Sequence, residues 1–323
     1  MTNSSILVTP DNFTRAESDL YFARVVAGGN GQAGGFSHFD HRRAPFDLND
    51  QIVIRLNRDT LYSPAVFDLD AGPVTVTLPD AGDRFMTMQI IDEDQYTYAV
   101  YGEPGRYTLT RDAVGTRYVL AAVRTLVDFS DPADLKAVHA LQDKLTVEQA
   151  SAGVFEIPNW DKASQDKVRK ALLELAETLP DTNRMYGSRA SVEPVRFLIG
   201  AAMGWGANPR EEAIYLNRTP MRNDGKTVHV LKVGKVPVRG FWSVSLYNKD
   251  GYFEENDRGA YTVNDRAAVK DADGGITIQF GGDPDSAPNY LPIMPGWNYM
   301  VRLYRPEPEL LDGRWSFPVE VAK

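Results

Sequence analysis

The chain has 323 residues, of which 43% are hydrophobic and 24% are charged, and its formal net charge at pH 7 is −9. This balance is that of a globular protein with a substantial core, and the length favours about two domains. The acidic charge and the lack of a Lys/Arg-rich stripe argue against nucleic acid as a partner, because phosphate binding needs a basic surface. The sequence has no cysteine, which excludes disulfides, thiolate nucleophiles and cysteine-ligated zinc.

The N-terminus predicts a helix followed by a glycine-rich loop. Thr9-Pro10 is a typical N-cap with proline at the first helical position, and an apolar stripe of Phe13, Ala16, Leu20, Ala23 and Ala27 follows. The next segment, Gly29-Asn-Gly-Gln-Ala-Gly34, matches the dinucleotide-binding fingerprint letter by letter. That fingerprint requires a strand before it and a helix after it, whereas here a helix precedes it. We therefore reject a dinucleotide site.

The next part of the chain predicts a β domain. Short segments of alternating or β-branched residues are separated by Gly, Pro and Asp turn signals, which is typical of a sandwich or jelly roll. The predicted strands are residues 51–57, 65–69, 74–78, 85–91, 96–101, 106–109 and 117–127.

Helical periodicity returns in the middle of the chain, and strands return after it. Helices are predicted from Asp131-Pro132, over residues 164–179 and over residues 194–203. Later strands are predicted at residues 229–233, 240–247, 251–253, 260–263, 276–280 and 299–304. The expected fold is mainly β, with an N-terminal helix and two jelly-roll-like β-sandwich domains that flank a helical segment. The predicted boundaries are 1–130, 131–205 and 206–323.

Two long motifs suggest a family. They are Ile54-Arg-Leu-Asn-Arg-Asp-Thr-Leu-Tyr-Ser63 and Gly240-Phe-Trp-Ser-Val-Ser-Leu-Tyr247, and the series continues through Asn289-Tyr-Leu-Pro292 and Arg302-Leu-Tyr-Arg-Pro306. The chain resembles, over nearly its whole length, the bacterial proteins that carry domain of unknown function 1254 followed by domain of unknown function 1214. The resemblance implies two jelly-roll-like sandwiches with helices between them. It implies little about activity, because a fold does not fix a function.

The polar cluster between residues 55 and 62 is the main candidate site. If residues 51–57 form a strand, Arg55 and Asn57 project from one face, and Arg58, Asp59 and Tyr62 follow directly. A guanidinium group can bind a carboxylate or phosphate, and amide and phenol groups can orient a polar ligand. Such a cluster is either the floor of a ligand site or an internal network that stabilises the fold.

The leading hypothesis is a hydrolase-like enzyme that acts on a small polar or anionic molecule held between the two β domains. Arg58 would stabilise a developing anion, and Asp59 or His38 would transfer the proton. The alternatives are a non-catalytic carbohydrate or organic-acid binding protein and a structural or assembly protein. The candidate binding residues are Arg55, Asn57 and Tyr62 on one wall and Tyr247, Asn256, Tyr261 and Arg302 opposite.

Other chemistry has weaker support in the sequence. The chain contains no Gly-x-Ser-x-Gly nucleophile motif, and Ser243 and Ser245 are expected on one face of a strand. Two histidines, His38 and His41, flank Asp40 and suit zinc, manganese or iron, although a further ligand must come from elsewhere. No cofactor is required by the sequence. We interpret Asp92-Glu-Asp94 as a solvated turn.

The sequence also sets expectations about location and assembly. The N-terminus lacks the basic start and apolar core of a signal peptide, and no apolar run reaches the ~20 residues of a membrane helix. We therefore expect a cytoplasmic protein without a membrane partner. The sequence leaves open a homo-oligomer.

Overall fold

The structure is a computed structural model that describes residues 5–28, 34–49, 51 and 54–323. These residues contain more strand than helix and form two compact units that are discontinuous in sequence. The domain boundaries expected after residues 130 and 205 stay a prediction. The first unit takes its residues from Met1–Arg43, Tyr62–Leu126 and Leu135–Arg210, and the second from Ala44–Leu61, Val127–Asp134 and Glu211–Lys323.

Seven strands form two sheets between residues 60 and 149. They are β1 (Thr60–Asp68), β2 (Val74–Leu78), β3 (Met86–Asp92), β4 (Thr97–Tyr101), β5 (Gly105–Leu109), β6 (Tyr118–Leu126) and β7 (Thr146–Gln149). The sheet orders are β1-β6-β3-β4 and β5-β2-β7. Alternate residues of β2 are buried, as a strand with unlike faces requires. The apolar faces of β2, β3 and β6 share one hydrophobic core, so the two sheets form a β-sandwich.

Five helices accompany these sheets. They are α1 (Phe13–Ala27), α2 (Arg111–Val114), α3 (Pro132–Gln142), α4 (Lys162–Ala176) and α5 (Pro194–Gly204). Residues of α1, α4 and α5 share a second hydrophobic core around Phe13, Leu172 and Ile199. The predicted start of α1 at Pro10 is wrong, because the helix begins at Phe13 with Asn12 at the N-cap position. The Asn12 side chain accepts a hydrogen bond from the preceding Thr9 N–H group and makes none to the helix.

The described residues of the second unit form eight strands and a short helix. They are β8 (Ala213–Arg218), β9 (His229–Val233), β10 (Trp242–Tyr247), β11 (Thr262–Asn264), β12 (Ile276–Phe280), β13 (Tyr290–Leu291), β14 (Asn298–Tyr304), β15 (Val321–Ala322) and α6 (Pro308–Leu311). They form sheets in the orders β11-β10-β14-β8 and β13-β12-β9-β15. Val244, Val301, Leu231 and Ile278 belong to one core, which both sheets share.

The prediction of a mainly β chain with an N-terminal helix and two β-sandwiches is confirmed, while the jelly-roll connectivity stays a prediction. No helix in the described ranges is long and apolar enough to cross a membrane.

The strand predicted at residues 51–57 is wrong over residues 54–57, and residues 52 and 53 lie outside the described residues. Arg55 has a left-handed backbone with φ of 53°, which interrupts an extended chain. The strand predicted at 251–253 is wrong too, because Gly251 lies in a turn with φ of 86°. Most of the glycine-rich segment, residues 29–33, also lies outside the described residues.

Two glycines in turns of the second unit allow a matched test of backbone packing. Both have left-handed φ, +75° for Gly225 and +83° for Gly274, but a Cβ at Gly225 would lie 2.5 Å from the Pro295 nitrogen whereas Gly274 faces open space. Gly274→Ala should cost about 1 kcal/mol of unfolding free energy from φ strain alone. Gly225→Ala should cost roughly 2 kcal/mol more, because the turn must also shift. Equal losses in urea denaturation would contradict this account.

Candidate functional site

The second unit places the predicted polar cluster against one face of a sheet. In the β10 and β14 register, Ser243 lies opposite Arg302. The β10 and β11 register places Asn264 opposite Ser243. These side chains therefore share a face, while the residues between them fill the hydrophobic core. The expected alternation of Ser243, Ser245 and Tyr247 along one strand face is in agreement with this register.

Arg302 is the centre of this polar face. Its side chain is 2% exposed. Its Nη1 donates to Ser245 Oγ at 2.8 Å, and its Nη2 donates to Tyr247 Oη at 2.8 Å. Nη2 also donates to the backbone oxygens of Arg55 at 2.8 Å and Leu56 at 3.2 Å. A buried cation therefore fixes the path of the segment before β1.

Asp59 and Arg58, the two residues assigned to catalysis with His38, contact different protein groups. Asp59 is fully buried, and its Oδ1 accepts hydrogen bonds from Thr262 Oγ1 at 2.9 Å and Asn264 Nδ2 at 3.5 Å, while its Oδ2 has no partner among the described residues. The Arg58 guanidinium instead lies 4.7 Å from the centroid of the Tyr261 ring and donates to the Phe46 carbonyl. A catalytic Arg58–Asp59 pair has no support in this geometry.

The remaining candidates in this unit also bind protein groups. Arg55 donates to Asn298 Oδ1 at 3.2 Å, and Asn57 donates to Thr60 Oγ1 and to Tyr304 Oη. The Asn256 amide bonds to backbone groups of its own loop. The arrangement is that of an internal network, which is the second of the two interpretations of the cluster.

His38 and Tyr62 belong to the first unit. His38 is exposed, and Tyr62 lies under the Arg124 guanidinium at 5.6 Å. His41 Nδ1 lies 2.9 Å from Ser63 Oγ. Burial lowers the pKa of His41 to about 4. Asp40 forms an ion pair with Arg42. Within the described residues no three metal-ligating side chains lie together.

A cavity in the first unit has the features of a site. Its volume is about 410 Å³, and polar side chains from α1, from the β3–β4 turn and from the loop before α4 line it. Among them are two buried carboxyl groups: Asp19 is 1% exposed and Glu93 is 7% exposed. The aromatic residues Tyr118 and Trp160 also line it.

Asp19 has a single hydrogen-bond donor. Its Oδ2 accepts from Trp160 Nε1 at 2.7 Å, while its buried Oδ1 has no partner among the described residues. Burial raises the pKa of Asp19 to about 6, and the nearby Glu93 charge adds to this shift, whereas the Trp160 bond and the Arg15 charge oppose it. A carboxyl group that gains and loses a proton near neutral pH can act as a general acid or base.

Glu93 is held by more partners. Its Oε2 accepts from the Tyr118 N–H group at 2.8 Å, and its Oε1 lies 3.6 Å from Arg15 Nη1. Arg15 also donates to Asp94 Oδ1 at 2.6 Å. Burial lowers the pKa of Arg15, but the hydrogen bond and the negative charge of Asp94 have the larger effect, so the pKa of Arg15 is raised. The cavity therefore contains two buried carboxyl groups in unlike surroundings.

Sequence reasoning missed this cavity for two reasons. The apolar stripe assigned to α1 is wrong beyond Ala16, since Leu20 and Ala23 are only partly buried and Ala27 is exposed. The consecutive residues Glu17, Ser18 and Asp19 are buried instead. The solvated-turn interpretation of Asp92-Glu-Asp94 is wrong for its first two residues, which are buried. The one available signal was two acidic residues in the middle of an apolar helix.

The structural role of Arg302 predicts a large loss of stability on its removal. Arg302→Met should lower the free energy of unfolding by about 3 kcal/mol or more, because the hydroxyls of Ser245 and Tyr247 lose a buried partner. The matched Arg58→Met should cost about 1 kcal/mol, since it removes one hydrogen bond and ring contacts. Urea denaturation of both variants tests this, and equal losses would show that Arg302 has no special role.

Two family models match the chain. One, described as a protein of unknown function (DUF1254), matches residues 36–149, and the other, described as a protein of unknown function (DUF1214), matches residues 214–308. No curated protein matches the chain.

Two solved structures resemble the whole chain. The VPA0106 protein from Vibrio parahaemolyticus is 18% identical, with a TM-score of 0.74 and 97% of each chain covered. An uncharacterized protein from Burkholderia cenocepacia is 14% identical, with a TM-score of 0.51, and the likeness covers 97% of this chain and 95% of that one. These similarities concern the fold alone. The ordered matches in one chain show that it belongs to the family of proteins that carry DUF1254 followed by DUF1214.

Proposed function

We propose that the chain is an enzyme that binds a small polar molecule in the cavity of the first unit, with Asp19 as the group that moves a proton. The observation that carries this proposal is the Asp19 carboxyl group, which is buried at a cavity wall with one oxygen unpartnered among the described residues. Its pKa of about 6 suits proton transfer near neutral pH.

The surroundings of Asp19 support a role in chemistry rather than in stability. An ionised carboxylate with one donor is costly to bury, since its second oxygen loses its hydration without a replacement. Such a cost persists where function requires it. By contrast, Asp68 in the same unit accepts two bonds from Arg117 and one each from the Val154 and Asp70 N–H groups.

A second candidate function is binding without catalysis. The aromatic rings of Tyr118 and Trp160 and the carboxyl groups at the same cavity are also typical of sites for hydroxylated ligands. In that case Asp19 would accept a hydrogen bond from the ligand and no product would form. The two functions share a site and differ in turnover.

The Asp19 proposal predicts a stabilising substitution. The folded pKa of about 6 lies above the ordinary value of 3.8, so stability falls as pH rises between them and the cost is complete above pH 6. Asp19→Asn keeps an acceptor for Trp160 and removes the charge. It should therefore raise the free energy of unfolding by about 1–2 kcal/mol at pH 8 and by nothing at pH 3.5. Urea denaturation across this range measures the difference.

Asp68→Asn is the matched control with the opposite sign. The Arg117 and backbone hydrogen bonds outweigh burial and lower the pKa of Asp68, so its ionised form stabilises the folded chain above pH 4. This variant should be less stable than the natural chain at pH 8, and the gap should narrow in acid. An Asp19→Asn gain that is independent of pH, or no gain, would contradict the environment assigned to Asp19.

Turnover itself can be tested with a panel of sugars, polyols and hydroxy acids. Compounds that raise the melting temperature of the natural chain are then incubated with it, and products are followed by NMR. We expect Asp19→Asn to abolish product formation. Trp160→Phe should shift the pH dependence of turnover to higher pH, because the Trp160 hydrogen bond lowers the pKa of Asp19. Ligands that bind without product would establish the binding function, and turnover retained in Asp19→Asn would refute the catalytic role.

A further inference from the structure

The two ends of the cavity offer opposite hydrogen-bonding groups. Asp19 and Glu93, the acceptors, are buried at its inner end. Arg111 and Arg117 also line the cavity, and their side chains are 44% and 33% exposed, so they lie at its mouth. The exposed Arg15, Asp94 and Glu156 lie there too, and Asp94 is paired with Arg15. A ligand that fits both ends must donate a hydrogen bond inside and accept hydrogen bonds at the mouth.

Arg111 has a guanidinium edge available for a ligand. Its Nε donates to Asp70 Oδ1 at 3.1 Å, and its two terminal nitrogens have no partner within the described residues. Arg111 is the first residue of α2, where Thr110 caps the helix by accepting from the Ala113 N–H group. Two N–H-bearing nitrogens side by side match the two oxygens of a carboxylate.

Arg117 lies beside Arg111 because both approach the same carboxylate. Its Nε is 3.8 Å from Asp70 Oδ2, and its stronger bonds go to Asp68. The nearest acid to its Nη1 is Glu156 at 4.0 Å, too far for a hydrogen bond. Asp68 and Asp70 offset the charge of the two arginines, so recognition at the mouth depends on directed hydrogen bonds more than on net charge.

We propose that the ligand is a small hydroxylated carboxylate, a hydroxy acid or a sugar acid, whose carboxylate binds Arg111 and Arg117 and whose hydroxyl donates to Asp19. This inference rests on the proposed function and names its ligand class. The cavity volume of about 410 Å³ is at the lower end of small-molecule sites, which run from roughly 300 to 1,000 Å³.

A hydroxyl fits the inner end better than an ammonium group. Arg15 already places a cation 3.6 Å from Glu93 and within electrostatic reach of Asp19. A second cation would be repelled by Arg15, whereas a neutral hydroxyl would not. An ammonium group would also require ionised Asp19, which is the form that burial disfavours.

Calorimetric titration with matched ligands tests the inference. The natural chain is titrated with galacturonate and galactose and with gluconate and glucitol, each pair differing in the carboxylate. We expect the acid of a pair to bind about tenfold more tightly, with a smaller preference in high salt. Arg111→Gln should remove the preference by weakening binding of the acid much more than binding of the neutral partner. The control Arg106→Gln, which removes an exposed arginine paired with Glu148, should change neither.

The outcomes separate this inference from the proposed function. One outcome is that the natural chain binds the acid and the neutral compound of a pair equally, with Asp19→Ala weakening the binding of both. In that case the cavity is the binding site, as proposed, but the inference that the ligand is a carboxylate is wrong. Retention of the acid preference in Arg111→Gln would also overturn the inference. If serine binds more tightly than these acids, the ligand is an amino acid and the inference is overturned. Binding of none of these compounds to the natural chain would overturn both proposals.

Discussion

Arg302 illustrates the constraint on which much of the second unit depends: a charge buried inside a β-sandwich needs several hydrogen-bond partners. Its partners are neutral hydroxyl and carbonyl groups, and two of them are backbone oxygens of the segment before β1. That segment is not a strand and has no ladder of its own to satisfy its carbonyls. Arg302 supplies the missing donors and so determines where residues 55 and 56 lie against the polar sheet face.

Asp19 illustrates the opposite case. It is as deeply buried as Arg302, yet a single Trp160 N–H group serves its carboxylate. Arg302 is therefore a buried charge with several partners, whereas Asp19 is a buried carboxyl group with one. The first contributes to the architecture. Ionised Asp19 raises the free energy of the folded state, and this cost is the physical basis for proposing a function in the first unit.

The sequence predicted much of the β framework, and the reason lies in local patterns. The bounds of β2, β9 and β12 match the predicted strands, because alternation of apolar and polar residues between Gly and Pro turns is itself a local property. The same method failed at residues 54–57. Their alternation resembles a strand, but Arg55 adopts a left-handed backbone and its N–H group bonds to Gly251, nearly two hundred residues away.

The sequence by itself determined the class of fold, the family and the exclusion of cysteine chemistry, since these depend on composition, periodicity and motif order. It also identified Arg302, Tyr247 and Asp59 as polar residues that need an explanation. Only the tertiary structure decided that they form an internal network and that the cavity belongs to Asp19, Glu93 and Trp160. These three residues come from α1, the β3–β4 turn and the loop before α4, and burial, which sets the pKa of Asp19, depends on chain segments that are distant in sequence.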